Sequence, residues 1–367
     1  PIGVVLDFPD EKKDACPYFI GRYLRGVKNG PSPAWVQDKL VAVGLRPISA
    51  LVDITNLMTI EFGRPLHVFD AAKVKGSVRP RMARADESLL ALDGKMYAMD
   101  EEMCVIGDDV NAEALGGIMG GESSGCTEET TDVFIECAYF DPMRTAMTGR
   151  KLNLQSDARF RFERGVDPEF MEPAMEIATQ HVLDLCGGEA SNLVVAGAVP
   201  DWKRKITLRL DRVRSLGGVE LSADEISSIL GALGFVHAKT ENNFDITPPS
   251  WRPDIVGEAC LVEEVIRMYG YDKIPAVPMA LEGAMPNAAR TLDQTRRFDG
   301  RRILASRGMT EAVTYSFLAE KDAMLFGSIP NSIKLTNPIS SDLSVMRSSI
   351  LPNLINAAVR NAARGIL

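Results

Sequence analysis

The sequence predicts a multidomain α+β protein built from short, mixed or antiparallel strands. Its 367 residues exceed what one core of ordinary size holds. Its apolar runs are of strand length and are separated by turn residues, not arranged as regular strand–helix alternation. Two Pro-rich stretches, PDWKRK (200–205) and PAVPMALEGAMPNAA (275–289), read as linkers and divide the chain into residues 1–200, 203–278 and 288–367.

In chain order, residues 1–30 carry short apolar runs such as YFIGRYLRGV and read as strands. PSPAWVQDKLVAVG (31–44) reads as a helix. Ser32 is the expected N-cap, Pro33 the first helical residue, Trp35, Val36, Leu40 and Val43 the apolar face, and Gly44 the stop. SVRPRMAR, ESLLALDGKMYAM with an Asp93-Gly94 turn, MCVIGDD and DVFIECAYF follow as strands. FMEPAMEIATQHVLDLCGG (170–188) is a helix with a Gly-Gly stop, and His181 on it reads as a surface or packing residue.

Beyond the first linker, RKITLRLDRVRSLGG gives a strand and a short helix. LSADEISSILGALGF opens with Ser222 and Glu225 at capping-box spacing and carries a stripe of Ile226, Ile229, Leu230 and Leu233. A strand (NFDIT) and a second amphipathic helix with a Gly270 stop complete a winged-helix-like module. The last part predicts a long helix (291–308), strands EAVTYSFL and SIKLTNP, and a helix over 348–364 that stops at Leu367. That ending and the opening on Pro1 predict a piece of a longer protein, with the last domain truncated.

A net charge of −9 argues against a nucleic-acid-binding surface spread over the whole molecule. Local basic strips remain at Arg144–Arg150–Lys151, Arg159–Arg161–Arg164 and Lys203–Arg204–Lys205. Six scattered cysteines without a CxxC pair predict reduced thiols in a cytoplasm, not a disulfide framework or a zinc site. The absence of a run of about 18 apolar residues leaves nothing expected to span a membrane. Three histidines, His67, His181 and His237, leave little material for His-cluster chemistry.

The chemically suggestive stretch is GGIMGGESSGCTEETTDVFIECAYFDP (116–142). Four glycines in six residues invite close backbone approach. Glu136, an acid inside an apolar strand, costs free energy unless something pairs with it. Two readings stand: a carboxylate kept for a ligand, or an ion pair with an arginine such as Arg144 or Arg159.

Several motifs resemble the β subunit of bacterial phenylalanyl-tRNA synthetase. They are SALVDITNLMTIEFGRPLHVFDAAKVKG (49–76), GGIMGGESSG (116–125), LNLQSDARFRFERGVDP (152–168), PPSWRPDI with LVEEVIRMYGYDKIP (248–275), and LTNPISSDLSVMRSSILPNLI (335–355). The likeness spans essentially the whole chain, in one order. It implies a B3/B4-like editing domain over 1–200, a B5-like module over 203–278, and the start of a non-catalytic class II synthetase-like domain over 288–367.

The implied activity is hydrolysis of tyrosine wrongly attached to tRNA(Phe), with tRNA binding and assembly into an α2β2 heterotetramer. Aminoacylation, with its ATP, belongs to the α subunit. His67, Glu136 and Gly120 are the implied catalytic positions; Thr55, Asn56, Gly121, Ala138, Ser156 and Ala158 are the implied substrate contacts. The family often carries Thr where Ser156 stands. Beside these roles stand plainer ones: a packing histidine, a glycine hairpin turn, and an Asx-type turn at a strand end for Thr55 and Asn56.

The family's magnesium-associated acids map onto Asp254, Glu263 and Glu264, in a site shared with α, and Cys260 stands where the family has Asp. A thiol is a poor ligand for Mg²⁺, and Glu263 and Glu264 also read as a solvated helix face. The competing reading of the whole is a scaffold and tRNA-binding subunit with an inactive editing pocket. A free-standing metal hydrolase is disfavoured for want of clustered ligands.

Overall fold

A computed structural model describes residues 2–279 and 288–366. Residues 280–287 of the expected 275–289 linker, and Leu367, lie outside the described residues. The fold is multidomain α+β, with antiparallel sheets. The chain divides into two bodies, Pro1–Val277 and Pro278–Leu367. Among the described residues no helix is long and apolar enough to cross a membrane.

The first body opens with β1 (Tyr18–Arg25), α1 (Ala34–Ala42), α2 (Ala50–Phe62) and β2 (His67–Asp70). Next come β3 (Arg79–Met82), β4 (Ser88–Leu90), β5 (Met96–Ala98), β6 (Cys104–Gly107), β7 (Ala112–Leu115), β8 (Met119–Gly120) and β9 (Asp132–Tyr139). α3 (Pro142–Lys151), α4 (Asp157–Phe162), α5 (Met171–Cys186), β10 (Glu189–Ala190) and β11 (Val194–Gly197) complete this part.

Two sheets matter for function. One runs β10-β1-β9-β2, with β11 also on β1; the other runs β3-β6-β7-β8. Alternation along a strand sends neighbouring side chains to opposite faces. Val133, Ile135 and Cys137 of β9 therefore join Ile20 and Leu24 under α2 and α5, packing on Leu51, Ile54, Met171 and Met175. Phe134 and Ala138 face the other way, into a layer shared with Cys104, Ile106 and Ala114 of the second sheet and Phe162 of α4. Glu136 has the parity of Phe134 and Ala138, so it belongs to the layer between the sheets.

Two local expectations are corrected here. Pro33, not Ser32, occupies the N-cap of α1; the Ser32 hydroxyl instead donates to Asp53 Oδ2 (2.6 Å), whose Oδ1 accepts from the Ile48 N–H (2.8 Å). A buried carboxylate needs donors, and that need outranks the cap. On α1, Val36 and Leu40 are buried while Trp35 and Val43 are 45% and 52% exposed, because only a narrow i, i+4 stripe meets a neighbour.

Residues 203–277 follow the expected pattern. β12 (Ile206–Arg209), α6 (Leu210–Gly217), α7 (Ala223–Ala232), β13 (Val236–Lys239), β14 (Asn243–Thr247) and α8 (Glu258–Tyr269) form three helices on a β12-β14-β13 sheet. Their core joins Leu208, Val213, Ile226, Leu230, Phe244, Leu261 and Val265. The Ser222–Glu225 capping box forms at α7.

The second body holds α9 (Leu292–Ser306), β15 (Phe317–Leu318), α10 (Glu320–Ala323), β16 (Val345–Met346) and α11 (Leu351–Ala362). The expected strand at 311–318 shrinks to Phe317–Leu318, and that at 332–338 to a single bridge, Lys334 to Val345. Strand pattern alone does not make a strand: each backbone group needs a neighbour to pair with.

Candidate functional site

Glu136 lies at the middle of β9 and only 6% of its surface is exposed. Its antiparallel partner on β2 is His67. Directly opposed residues project to the same face with Cβ atoms about 5 Å apart, so the register alone sets a carboxyl beside an imidazole between the sheets. Both end in atoms without a protein partner: Glu136 Oε2 and His67 Nε2 are buried and unbonded.

Burial sets their charge. It pushes the Glu136 carboxyl up to about 8, against the opposing pull of the Arg64 guanidinium. It pulls the His67 imidazole down to about 4. At neutral pH the histidine is therefore uncharged, and the acid holds its proton more often than not. The His67 ring stands edge-on to Phe69, its centroid 4.4 Å away.

The second sheet brings Gly120 to this imidazole. A Cβ built there would sit 2.8 Å from His67 Nε2 and 3.1 Å from Leu92 Cδ1, so the bare backbone is what lets the two sheets meet at this point. The β4–β5 hairpin covers the same place: Leu92 N–H donates to Gly120 O (3.0 Å), and Ala91 bridges to Gly121. Gly121 does not offer its own N–H to the site, because that group donates to Glu113 O (2.7 Å), and a Cβ there would lie 2.6 Å from the same oxygen.

α4 supports the glycine segment from below. The Ser156 hydroxyl accepts from Arg159 N–H (3.0 Å) as N-cap and donates to Ile118 O (2.6 Å), two residues before Gly120. Ala158 packs on the inter-sheet layer and Ala138 is buried in it, one pleat along β9 from Glu136. Thr55 and Asn56 are in the middle of α2, not at a strand end as one reading had it, and the Thr55 hydroxyl donates to Val52 O (2.8 Å). α2 packs on the sheet face opposite to Glu136.

Neither Arg144 nor Arg159 is bonded to Glu136. Arg144 pairs with Glu102 (3.1 Å) and Arg159 with Glu163 (3.0 Å). The cation that does bear on Glu136 is Arg64, which the sequence reading did not single out; its place three residues before His67 in GRPLH was the available signal. A groove of about 570 Å³ lies elsewhere, lined by Met143, Arg144, Met147 and Arg150 of α3.

The acids of the second module are otherwise engaged. Arg252 grips Asp254 with two bonds (2.8 and 2.6 Å) and Glu264 with a third (2.8 Å), and Arg267 adds another to Glu264 (2.8 Å). Glu263 accepts from the Tyr271 hydroxyl (3.2 Å), and Cys260 packs against the apolar core. Among the described residues no group of three or more His, Cys, Asp or Glu side chains is placed to hold a metal ion. As arranged here, Asp254, Glu263 and Glu264 do not fit Mg²⁺.

Three family models match the chain in order: a B3/4 domain over residues 15–187, a tRNA synthetase B5 domain over 206–271, and a phenylalanyl tRNA synthetase beta chain CLM domain over 274–367. Among relatives, the phenylalanine–tRNA ligase β subunit of Paramagnetospirillum magneticum is 58% identical over 365 residues, covering 100% of this chain and 46% of that protein. The Rhodospirillum rubrum β subunit is 53% identical over 367 residues, again covering 100% of this chain and 46% of that protein. The Mesorhizobium japonicum β subunit is 50% identical over 366 residues, covering 100% of this chain and 45% of that protein. The chain thus spans less than half the length of these relatives. An N-terminal fragment of the phenylalanyl-tRNA synthetase β subunit from Pyrococcus horikoshii aligns at 16% identity with a TM-score of 0.36, over 74% of this chain and 77% of that one, too weak a likeness to bear on fold or function. Three successive domain models and whole-length identity to these subunits make the chain a member of the phenylalanine–tRNA ligase β-subunit family.

Proposed function

We propose that this chain contributes proofreading to a phenylalanine–tRNA ligase: hydrolysis of the ester of tyrosine wrongly joined to tRNA(Phe). The observation that carries the reading is the buried Glu136 carboxyl, unpartnered at Oε2, beside an uncharged His67 with an unpartnered Nε2. A pocket for phenylalanine discriminates poorly against one added hydroxyl. A buried group built to bind that hydroxyl rejects the analogue lacking it by roughly four to five orders of magnitude.

In this proposal the tyrosyl phenol donates to Glu136. A donated hydrogen bond favours the ionised carboxyl, so tyrosine binding releases the proton that burial retains. His67 Nε2 holds the attacking water or the ester carbonyl and takes up no lasting charge, since its protonated form is disfavoured near pH 7. Gly120 keeps the second sheet close without a side chain in the way. Catalysis here is positioning of water against an activated ester.

The same proposal places the chain in the cytoplasm, with tRNA(Phe) and an α subunit in an α2β2 assembly. ATP and Mg²⁺ serve aminoacylation in α. The test is deacylation of purified Tyr-tRNA(Phe) by the chain, with and without α. Hydrolysis of the tyrosyl ester ahead of the phenylalanyl ester is the expected result; no hydrolysis in either setting would leave a scaffold subunit.

A further inference from the structure

We propose that Arg64 is a positioning residue for Glu136: its guanidinium anchors β9 next to the acid and lends the buried layer the positive charge the carboxylate needs. This rests on the reading of Glu136 as the phenol acceptor. Arg64 is 1% exposed, among the largest fully buried side chains in the protein. Its Nε donates to Cys137 Sγ (3.2 Å) and its Nη2 to Ala138 O, while Nη1 is buried without a partner. Both partners come just after Glu136 on β9, and neither is an acid.

The sequence explains why a guanidinium sits there. Pairing of β2 with β9 begins at His67 opposite Glu136. Continued backwards, the register sets Pro65 opposite Ala138, and proline brings no N–H. Arg64 reaches round and supplies the donor at Ala138 O. A neutral amide would meet that need at less desolvation cost than a buried cation, so the charge asks for its own explanation.

The groups that bear on Glu136 supply it. They are His67 of β2, Arg64 ahead of it, Cys137 next to it on β9, Cys16 ahead of β1 and Cys104 of β6. Burial leaves His67 neutral and pushes all three thiols up, Cys104 to about 12. Arg64 is the one of the five that carries charge at neutral pH, and it opposes the effect of burial on the acid. Without it, ionised Glu136 would stand among neutral groups alone.

The experiment is a pH titration of the Glu136 carboxyl by ¹³C-glutamate NMR on the whole chain, with the signal assigned by its loss in Glu136→Gln. Arg64→Gln is expected to raise the midpoint by about one unit or more, and Arg64→Lys to hold it within about half a unit. An unchanged midpoint in folded Arg64→Gln would leave Arg64 a structural stitch and overturn the proposal. If Arg64→Gln does not fold, Arg64→Lys decides alone: a midpoint raised by about a full unit despite the retained charge overturns it too. The titration needs no substrate. An Arg64 effect as expected, with tyrosyl preference untouched in Glu136→Gln, would therefore defeat the proofreading reading and leave the electrostatic coupling standing.

Discussion

Replacing Glu136 by Gln should stabilise the protein, and by an amount that depends on pH. The folded carboxyl titrates at about 8, against an ordinary value of 4.5. A folded value raised above the unfolded one contributes stability fully present below 4.5 and lost as pH rises through 8. Each unit of separation is worth about 1.36 kcal/mol, so the cost of Glu136 reaches about 3 kcal/mol at pH 7 and about 5 kcal/mol above pH 8. Gln copies the neutral acid and escapes this loss. At about 2–4 °C per kcal/mol for a body of this size, Glu136→Gln should melt about 6–12 °C higher than wild type at pH 7 and nearly with it at pH 5. Scanning calorimetry of both proteins from pH 5 to 8 measures the divergence. A constant gap across that range, or a less stable variant at pH 7, would refute the claim that burial controls this carboxyl.

Other perturbations address the remaining parts of the site. Gly120→Ala drives a methyl against the His67 ring; tyrosyl ester hydrolysis should fall at least about tenfold if positioning drives the rate, checked against Tm in the same preparation. Ser156→Ala removes the α4 cap and the bond to Ile118 O; it should cost about 1 kcal/mol, seen in denaturant unfolding, and Ser156→Thr should restore most of it. His67 is held down to about 4, so its titration should leave the hydrolysis rate level between about pH 5.5 and 7. An inflection near the ordinary histidine value that vanishes in His67→Ala would contradict that. Glu264 is held down to about 2, first by Arg252 and then by Arg267. Its depressed value means that this stabilising contribution is present above the ordinary carboxylate range and lost as pH falls through about 2; Arg252→Ala should therefore lose most stability near neutral pH, with the gap closing in strong acid.

Much of the architecture was legible from residue pattern. The Asp93–Gly94 hairpin, β6, β9, α5, the capped α7 and α8 with its Gly270 stop all announce themselves through turn chemistry, alternation or capping spacing. α2 was legible in principle, since Leu51, Ile54, Leu57 and Met58 follow helical spacing up to Gly63 at φ +63°. Thr55 and Asn56 within it read as substrate contacts or as an Asx-type turn, and neither reading draws on the helical period. β15 shows the opposite limit: of the strand-forming residues at 311–318 and 332–338, Phe317–Leu318 and Lys334 pair, and they do so where Val345–Met346 offers a neighbour.

At the candidate site, Glu136 stood out as an acid in an apolar strand and His67 through its motif. Their facing each other is a matter of register, which no single segment encodes. Arg64 was harder to see. An arginine before proline in a turn reads as solvated, and only the missing N–H of Pro65 and the closeness of β9 turn it inward. At Arg252 the limit is different: the family resemblance alone marks Asp254 and Glu264 as magnesium-associated, while the guanidinium that takes them up lies within the same PPSWRPDI segment as Asp254.

The most direct measurement is the ratio of deacylation rates for Tyr-tRNA(Phe) and Phe-tRNA(Phe), taken for the wild-type chain and for Glu136→Ala. A strong tyrosyl preference that collapses in the variant, with the protein still folded, is the predicted outcome. A preference that survives loss of the carboxyl would contradict the account.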